Sequence, residues 1–113
     1  VLRMTNVSIN GYGTGASAFG TGVFTDCTIS GCTTAGARFG SGGNPAADHR
    51  SVRTNYSSNQ LGFSHNGGSL LVDGGLVDGT GYPSAIGFTT ADGQVDTTGL
   101  FVTSCGQGAV RST

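Results

Sequence analysis

The sequence predicts an all-β chain wound as a parallel β-helix, a solenoid of about five turns. Three observations carry this. Imperfect repeats of roughly twenty residues run along the chain. Residue types that favour helices are nearly missing, and no window holds a helical apolar period. Short apolar alternations recur instead, each followed by turn-forming residues.

The repeats are plain when TNVSINGYGTGASAF (from Thr5), TDCTISGCTTAGARF (from Thr25), DGGLVDGTGYPSAIGF (from Asp73) and TTGLFVTSCGQGAVR (from Thr97) are aligned. A weaker copy, VRTNYSSNQLGF from Val52, fits between the second and third. Anchored on Ile9, Ile29, Tyr56, Val77 and Val102, successive copies stand 20, 27, 21 and 25 residues apart.

Each copy begins with a strand. Val7/Ile9, Cys27/Ile29, Thr54/Tyr56, Gly75/Val77 and Leu100/Val102 read as inward positions, and Ser8, Thr28, Asn55, Leu76 and Phe101 between them face out. A corner follows, where Asn10, Ser30, Ser57, Asp78 and Thr103 precede Gly or Ser. A second inward strand comes next: Ala16/Ala18, Ala35/Ala37, Leu61/Phe63, Ala85/Ile86 and Ala109/Val110. Stacking pairs each strand with its counterpart one turn away, giving parallel sheets. The surplus residues of the longer steps are expected as loop insertions near 40–51 (GSGGNPAADHRS) and 88–97 (FTTADGQVDT), within one segment spanning 1–113. An immunoglobulin-like sandwich does not explain aligned columns, and the recurring apolar pairs exclude a flexible linker.

Composition narrows the function. With 113 residues there is room for one domain, and a hydrophobic share of 35% allows only a thin core. There is no Lys, Glu or Trp, the net charge is −1, and no basic patch offers a nucleic-acid footprint. No apolar run is long enough to insert in a bilayer. The chain opens at Val1 without evident caps, which suggests a piece of something longer. Cys27, Cys32 and Cys105 have neither an even count nor zinc-like spacing, so free, packed thiols are expected, with no metal and no cofactor.

FTDCTISGCTTAGARF and FVTSCGQGAVR resemble turns of the right-handed, pectate-lyase-like parallel β-helix, as found in bacteriophage tailspikes and in polysaccharide lyases and epimerases. The resemblance covers nearly the whole chain but specifies fold better than function, and the stacked Asn ladder of that family is replaced by mixed residues. It implies a single-stranded right-handed β-helix belonging to a homotrimeric tailspike or tail fibre. Such a protein sits in the virion tail beside other tail proteins and contacts a bacterial surface polysaccharide. The other reading it implies is a secreted lyase or hydrolase fragment.

The candidate site residues are scattered. Glycan hydrolysis needs two carboxylates about 5 to 9.5 Å apart, and Asp73 and Asp78 in one turn, with Asp26 nearby, are the candidates. Asp78-Gly79 reads equally as a corner. His49 and Arg50, after Asp48, are the densest ionisable group: Arg50 could grip an acidic sugar and His49 carry a proton, or the two could be a polar loop tip or a subunit contact. Arg53 could bind glycan or pair with Asp26 across adjacent turns. Tyr12 and Tyr82 lie near corners, where an aromatic ring could stack on a sugar, although Tyr82 precedes Pro83 and could simply pack the turn. Thr5, Thr25 and Thr98 share a column, but it breaks at Asp73, so no regular hydroxyl array is expected. Trimer contacts could cover the outward Leu71, Leu76 and Phe101.

Overall fold

The structure, a computed structural model, describes residues 1–40 and 46–112. Among them there is no helix. Three five-stranded sheets, every pairing parallel, stack into a solenoid of about five turns. Sheet A holds β1 (Leu2–Thr5), β4 (Gly22–Thr25), β7 (Asp48–Val52), β10 (Ser69–Asp73) and β13 (Gln94–Thr98). Sheet B holds β2 (Ser8–Asn10), β5 (Thr28–Ser30), β8 (Asn55–Ser57), β11 (Leu76–Asp78) and β14 (Phe101–Thr103). Sheet C holds β3 (Thr14–Phe19), β6 (Ala35–Gly40), β9 (Leu61–Asn66), β12 (Ile86–Ala91) and β15 (Val110–Ser112).

The first predicted strand is sheet B, in the expected register. Ile9, Ile29, Tyr56, Val77 and Val102 form one column, and Ser8, Thr28, Asn55, Leu76 and Phe101 form the outward one. The second predicted strand is sheet C, with a corrected alignment. Ala37 does pair with Phe63, but Ala16 pairs with Ala37 rather than Ala35, and Phe63 pairs with Phe88 rather than Ile86. Corner loops of unequal length shift the count by two in those turns while leaving most side chains on their expected face.

Sheet A corrects the two expected loops. The 88–97 segment is the end of β12 and most of β13, joined by a turn at Asp92-Gly93. Of the 40–51 segment, Gly40 ends β6, residues 41–45 lie outside the described residues, and Asp48 onwards is β7. The reason is physical. β7 buries His49 and Ser51, not aliphatic side chains, so its inward face carries no apolar alternation.

Small side chains set the cross-section. Gly15, Gly36, Gly62 and Gly87 lie one before Ala16, Ala37, Phe63 and Phe88, which are paired turn on turn, so these glycines also form a column. None has a positive φ; space is what selects them. A Cβ at Gly15 would lie 2.5 Å from Ile29 Cγ2 and 2.6 Å from Gly36 O, and one at Gly36 would lie 2.5 Å from Gly62 O. Sheet C therefore closes on sheet B along a line that admits no side chain. Beyond that line the interior is filled by Phe24, Phe39, Tyr56, Phe63 and Phe88, with Phe63 and Phe88 stacked at 4.7 Å. Within the second turn Phe24 of β4 meets Phe39 of β6 with ring centroids 5.0 Å apart, and Phe39 meets Phe63 of the next turn edge-on at 6.1 Å.

The corner from sheet A to sheet B uses left-handed backbone in every turn, at Asn6, Asp26, Arg53, Gly74 and Gly99. Only the last two are glycines, so the other three hold a conformation L-residues disfavour, two of them being the Asn/Asp types that tolerate it best. The three cysteines are free thiols; Cys27 and Cys32 are buried, and burial pushes the half-buried Cys105 thiol up.

Candidate functional site

A concave surface with a chemical character of its own lies at the corner from sheet B to sheet C in the fourth turn. β11 ends at Asp78, whose Oδ1 accepts the Thr80 N–H (2.9 Å) and the Thr80 hydroxyl (2.6 Å). This cap holds the Asp78 carboxyl below its ordinary range. The chain then turns twice, with the Tyr82 N–H donating to Gly79 O and the Ala85 N–H donating to Tyr82 O, each at 3.0 Å. Gly79 passes against Ala85, where a Cβ would lie 2.6 Å from the alanine methyl. The result is an open hollow of about 340 Å³ lined by Gly79, Thr80, Gly81, Tyr82, Pro83 and Ser104.

Its chemistry is an aromatic ring, two hydroxyls and exposed backbone, with no cation on the wall. A ligand suited to it carries an apolar face and hydroxyl groups, and the volume is at the small end for a small-molecule site. Gln60 anchors the neighbouring turn to it, its side-chain N–H donating to Ser84 O at 2.9 Å. Tyr12 occupies the same corner three turns away, about 14 Å along the axis, and is 61% exposed.

The other candidate residues do not converge on this hollow. Arg50 points outward from sheet A and makes an exposed ion pair with Asp48 at 3.6 Å. Arg53, at the corner from sheet A to sheet B, grips Asp26 with two bonds: Nε to Oδ1 at 2.7 Å and NH2 to Oδ2 at 3.1 Å. That pair was expected from the sequence. It lowers the Asp26 carboxyl and raises the Arg53 guanidinium. Asp73 ends β10 in sheet A and is exposed, whereas Asp78 ends β11 in sheet B, so the two carboxylates belong to different faces.

His49 is corrected outright. It is not at a loop tip but inside the solenoid, 0% exposed on β7. Its Nδ1 accepts the Gly22 N–H at 3.1 Å, which requires the proton on Nε2, and Nε2–H donates to Gly40 O at 3.0 Å. Burial lowers its affinity for a second proton, partly offset by the Gly40 bond. His65 is likewise buried, bonded to Gly68 O and the Thr90 hydroxyl. Neither imidazole reaches a ligand on the surface.

The hollow's own Thr80 and Ser104 are not among the candidate residues read from the sequence. The available signal was the run DGTGYPS, where turn-forming residues crowd around a tyrosine. Among the described residues no group of three or more His, Cys, Asp or Glu side chains could hold a metal ion. No protein-family model, no curated protein and no solved structure matches the chain.

Proposed function

We propose that the chain is a β-helical segment of a bacteriophage tailspike or tail fibre, a stiff shaft whose surface contacts host glycan during virion attachment. The observation that carries this reading is the open hollow beside Tyr82, set on a rigid ladder of parallel strands. A tyrosine ring next to threonine and serine hydroxyls suits a pyranose, whose C–H face stacks on the ring while its hydroxyls find donors and acceptors. Outward apolar residues fit subunit packing in a homotrimer: Phe101 is 64% exposed and Leu71 37%. The virion tail, beside other tail proteins, is the location that goes with this role.

The second reading is a fragment of a polysaccharide lyase or glycoside hydrolase. What favours it is the Asp78 carboxylate next to the hollow-lining Gly79. What weighs against it is the state of that carboxylate. A general acid needs a raised pKa, whereas the Thr80 bonds lower that of Asp78. Of the side chains a lyase could use as its base, His49 is interior and Arg53 is committed to Asp26, which leaves Tyr82 at the hollow.

The test is saturation-transfer NMR against a panel of neutral and acidic bacterial surface polysaccharides, with a parallel assay for new reducing or unsaturated ends. The expected outcome is transfer to at least one neutral polysaccharide, lost in Tyr82→Ala and kept in Arg50→Ala, with no new ends. New chain ends that vanish in Asp78→Asn would replace this reading with the enzymatic one. Absence of transfer across the panel would remove the glycan-contact role.

A further inference from the structure

The outward face of sheet C carries charge of one sign. Among the described residues its five strands hold Arg38 and Arg111 and no acid. The acids stand elsewhere: Asp48, Asp73 and Asp96 in sheet A, and Asp78 in sheet B. Asp92 follows β12 at the corner into sheet A, past the end of this face. Ser17, Arg38, Ser64, Thr89 and Arg111 make one outward column, and Phe19, Gly40 and Asn66 belong to the next.

Two members of this face are uncommitted. Arg50, Arg53 and Arg111 are engaged by Asp48, Asp26 and Gln107, whereas Arg38 is exposed and its guanidinium has no ion pair or hydrogen bond among the described residues. Phe19 follows the buried Ala18, so it points out of the solenoid, and it is 70% exposed. Its ring leans onto the following turn: a Cβ at Gly40 would lie 2.8 Å from Phe19 Cδ1 and 3.2 Å from Cε1. A glycine there leaves the ring room to lie over backbone. Arg38 and Gly40 are two residues apart on β6, about 7 Å, and Ser64 and Asn66 stand beside them one strand spacing away, about 4.8 Å. An aromatic ring, a free guanidinium, a hydroxyl and an amide thus share a patch on the scale of one sugar ring.

We propose that the outward face of sheet C is a carbohydrate site of its own, selective for a chain of carboxylated sugars. The C–H face of a pyranose packs on Phe19, its carboxylate takes the Arg38 guanidinium as a bidentate pair, and Ser64 and Asn66 bond ring hydroxyls. Further along the same column Thr89 and Arg111 lie about 10 and 14 Å from Arg38, so a linear chain running along the solenoid axis meets a second cation. Two arginines on a chain of net charge −1 are too few for a nucleic acid, which is held by neutralising many phosphates. The site lies apart from the hollow beside Tyr82 and does not rest on what that hollow binds.

The test is a titration followed by amide shifts in two-dimensional NMR, with hyaluronan tetrasaccharide and tetragalacturonate as two carboxylated probes of different linkage. Shifts are expected at Arg38, Ser64, Asn66 and Thr89 with at least one probe, and the methyl ester of that probe should bind about tenfold more weakly. Arg38→Gln should weaken the acid form by a similar factor and Phe19→Ala by about threefold, while Tyr82→Ala leaves it unchanged. Both substituted side chains are exposed, and the dispersion of each variant's spectrum shows whether it is folded. No shift on sheet C with either probe would overturn the proposal, as would equal binding of acid and ester. Equal shifts with a hexa-aspartate peptide would also overturn it, since charge alone would then be read. None of these results touches the Tyr82 hollow, whose own shifts report on it separately.

Discussion

Two corners of the same solenoid are built by opposite means. Where sheet B meets sheet C, backbone runs against backbone along Gly15, Gly36, Gly62 and Gly87, and geometry is enforced by the lack of room. Where sheet C returns to sheet A, the interior holds two histidines, each bonded to a backbone carbonyl of the turn, Gly40 O for His49 and Gly68 O for His65. The first corner tolerates no added atom; the second depends on hydrogen bonds and so on protonation. A thin core can therefore be specified by exclusion on one edge and by polar satisfaction on another. Every buried side-chain N or O atom among the described residues has a partner.

The largest effect should come from breaking the glycine line. Gly36→Ala puts a methyl group against Gly62 O and the Asn59 and Tyr56 side chains, and should cost about 3 kcal/mol, the upper range for overpacking. Urea unfolding measures it, and Gly13→Ala, which meets nothing within 4 Å, is the control expected to stay near wild type. Next comes Asn59, the single amide that closes the inner side of the same corner. Its Oδ1 accepts the Cys32 N–H at 2.8 Å and its Nδ2 donates to Ile29 O at 3.0 Å. Asn59→Ala leaves the Cys32 N–H without that acceptor and should cost about 2 kcal/mol in the same assay.

The other corner should answer to pH. His49 binds its second proton less readily folded than its ordinary value of 6.5, so between the two values the unfolded chain carries more protons. Stability is then full above about pH 6.5 and falls as pH drops toward the lowered folded value. Thermal melts between pH 8 and pH 5 should show this decline, flattened in His49→Gln, while Gly36→Ala keeps the slope at a lower baseline. The smallest effect belongs to Asp26→Asn, which removes an exposed pair and should leave the melting temperature of the wild type nearly unchanged.

How much of this was legible from sequence follows the same division. The sheet B columns could be read because Ile, Val and Tyr alternate with outward residues there, and the Asp26–Arg53 pair followed from that register. Sheet A could not, because its buried positions in the third turn are His49 and Ser51, which look like loop chemistry until their partners are known. Serine 51 shares its hydroxyl bond with Tyr56 at 2.7 Å, a contact between two sheets that no local pattern reveals. The glycine line was hidden for a different reason. Gly15, Gly36, Gly62 and Gly87 are spaced like turn glycines, and only the stacked register separates glycine needed for φ from glycine needed for space. Tyr82 could be singled out as a candidate from its type and position, while the Thr80 and Ser104 that line the hollow with it come from different turns and meet only in the fold.

The most direct test of the stacked register is a set of inter-turn nuclear Overhauser contacts in sheet C, where the alignment by sequence and the structure disagree. The structure predicts that the Ala16 methyl contacts Ala37 and that the Phe63 ring contacts Phe88. Contacts from Ala16 to Ala35 and from Phe63 to Ile86 instead would dissolve the glycine line and contradict the account.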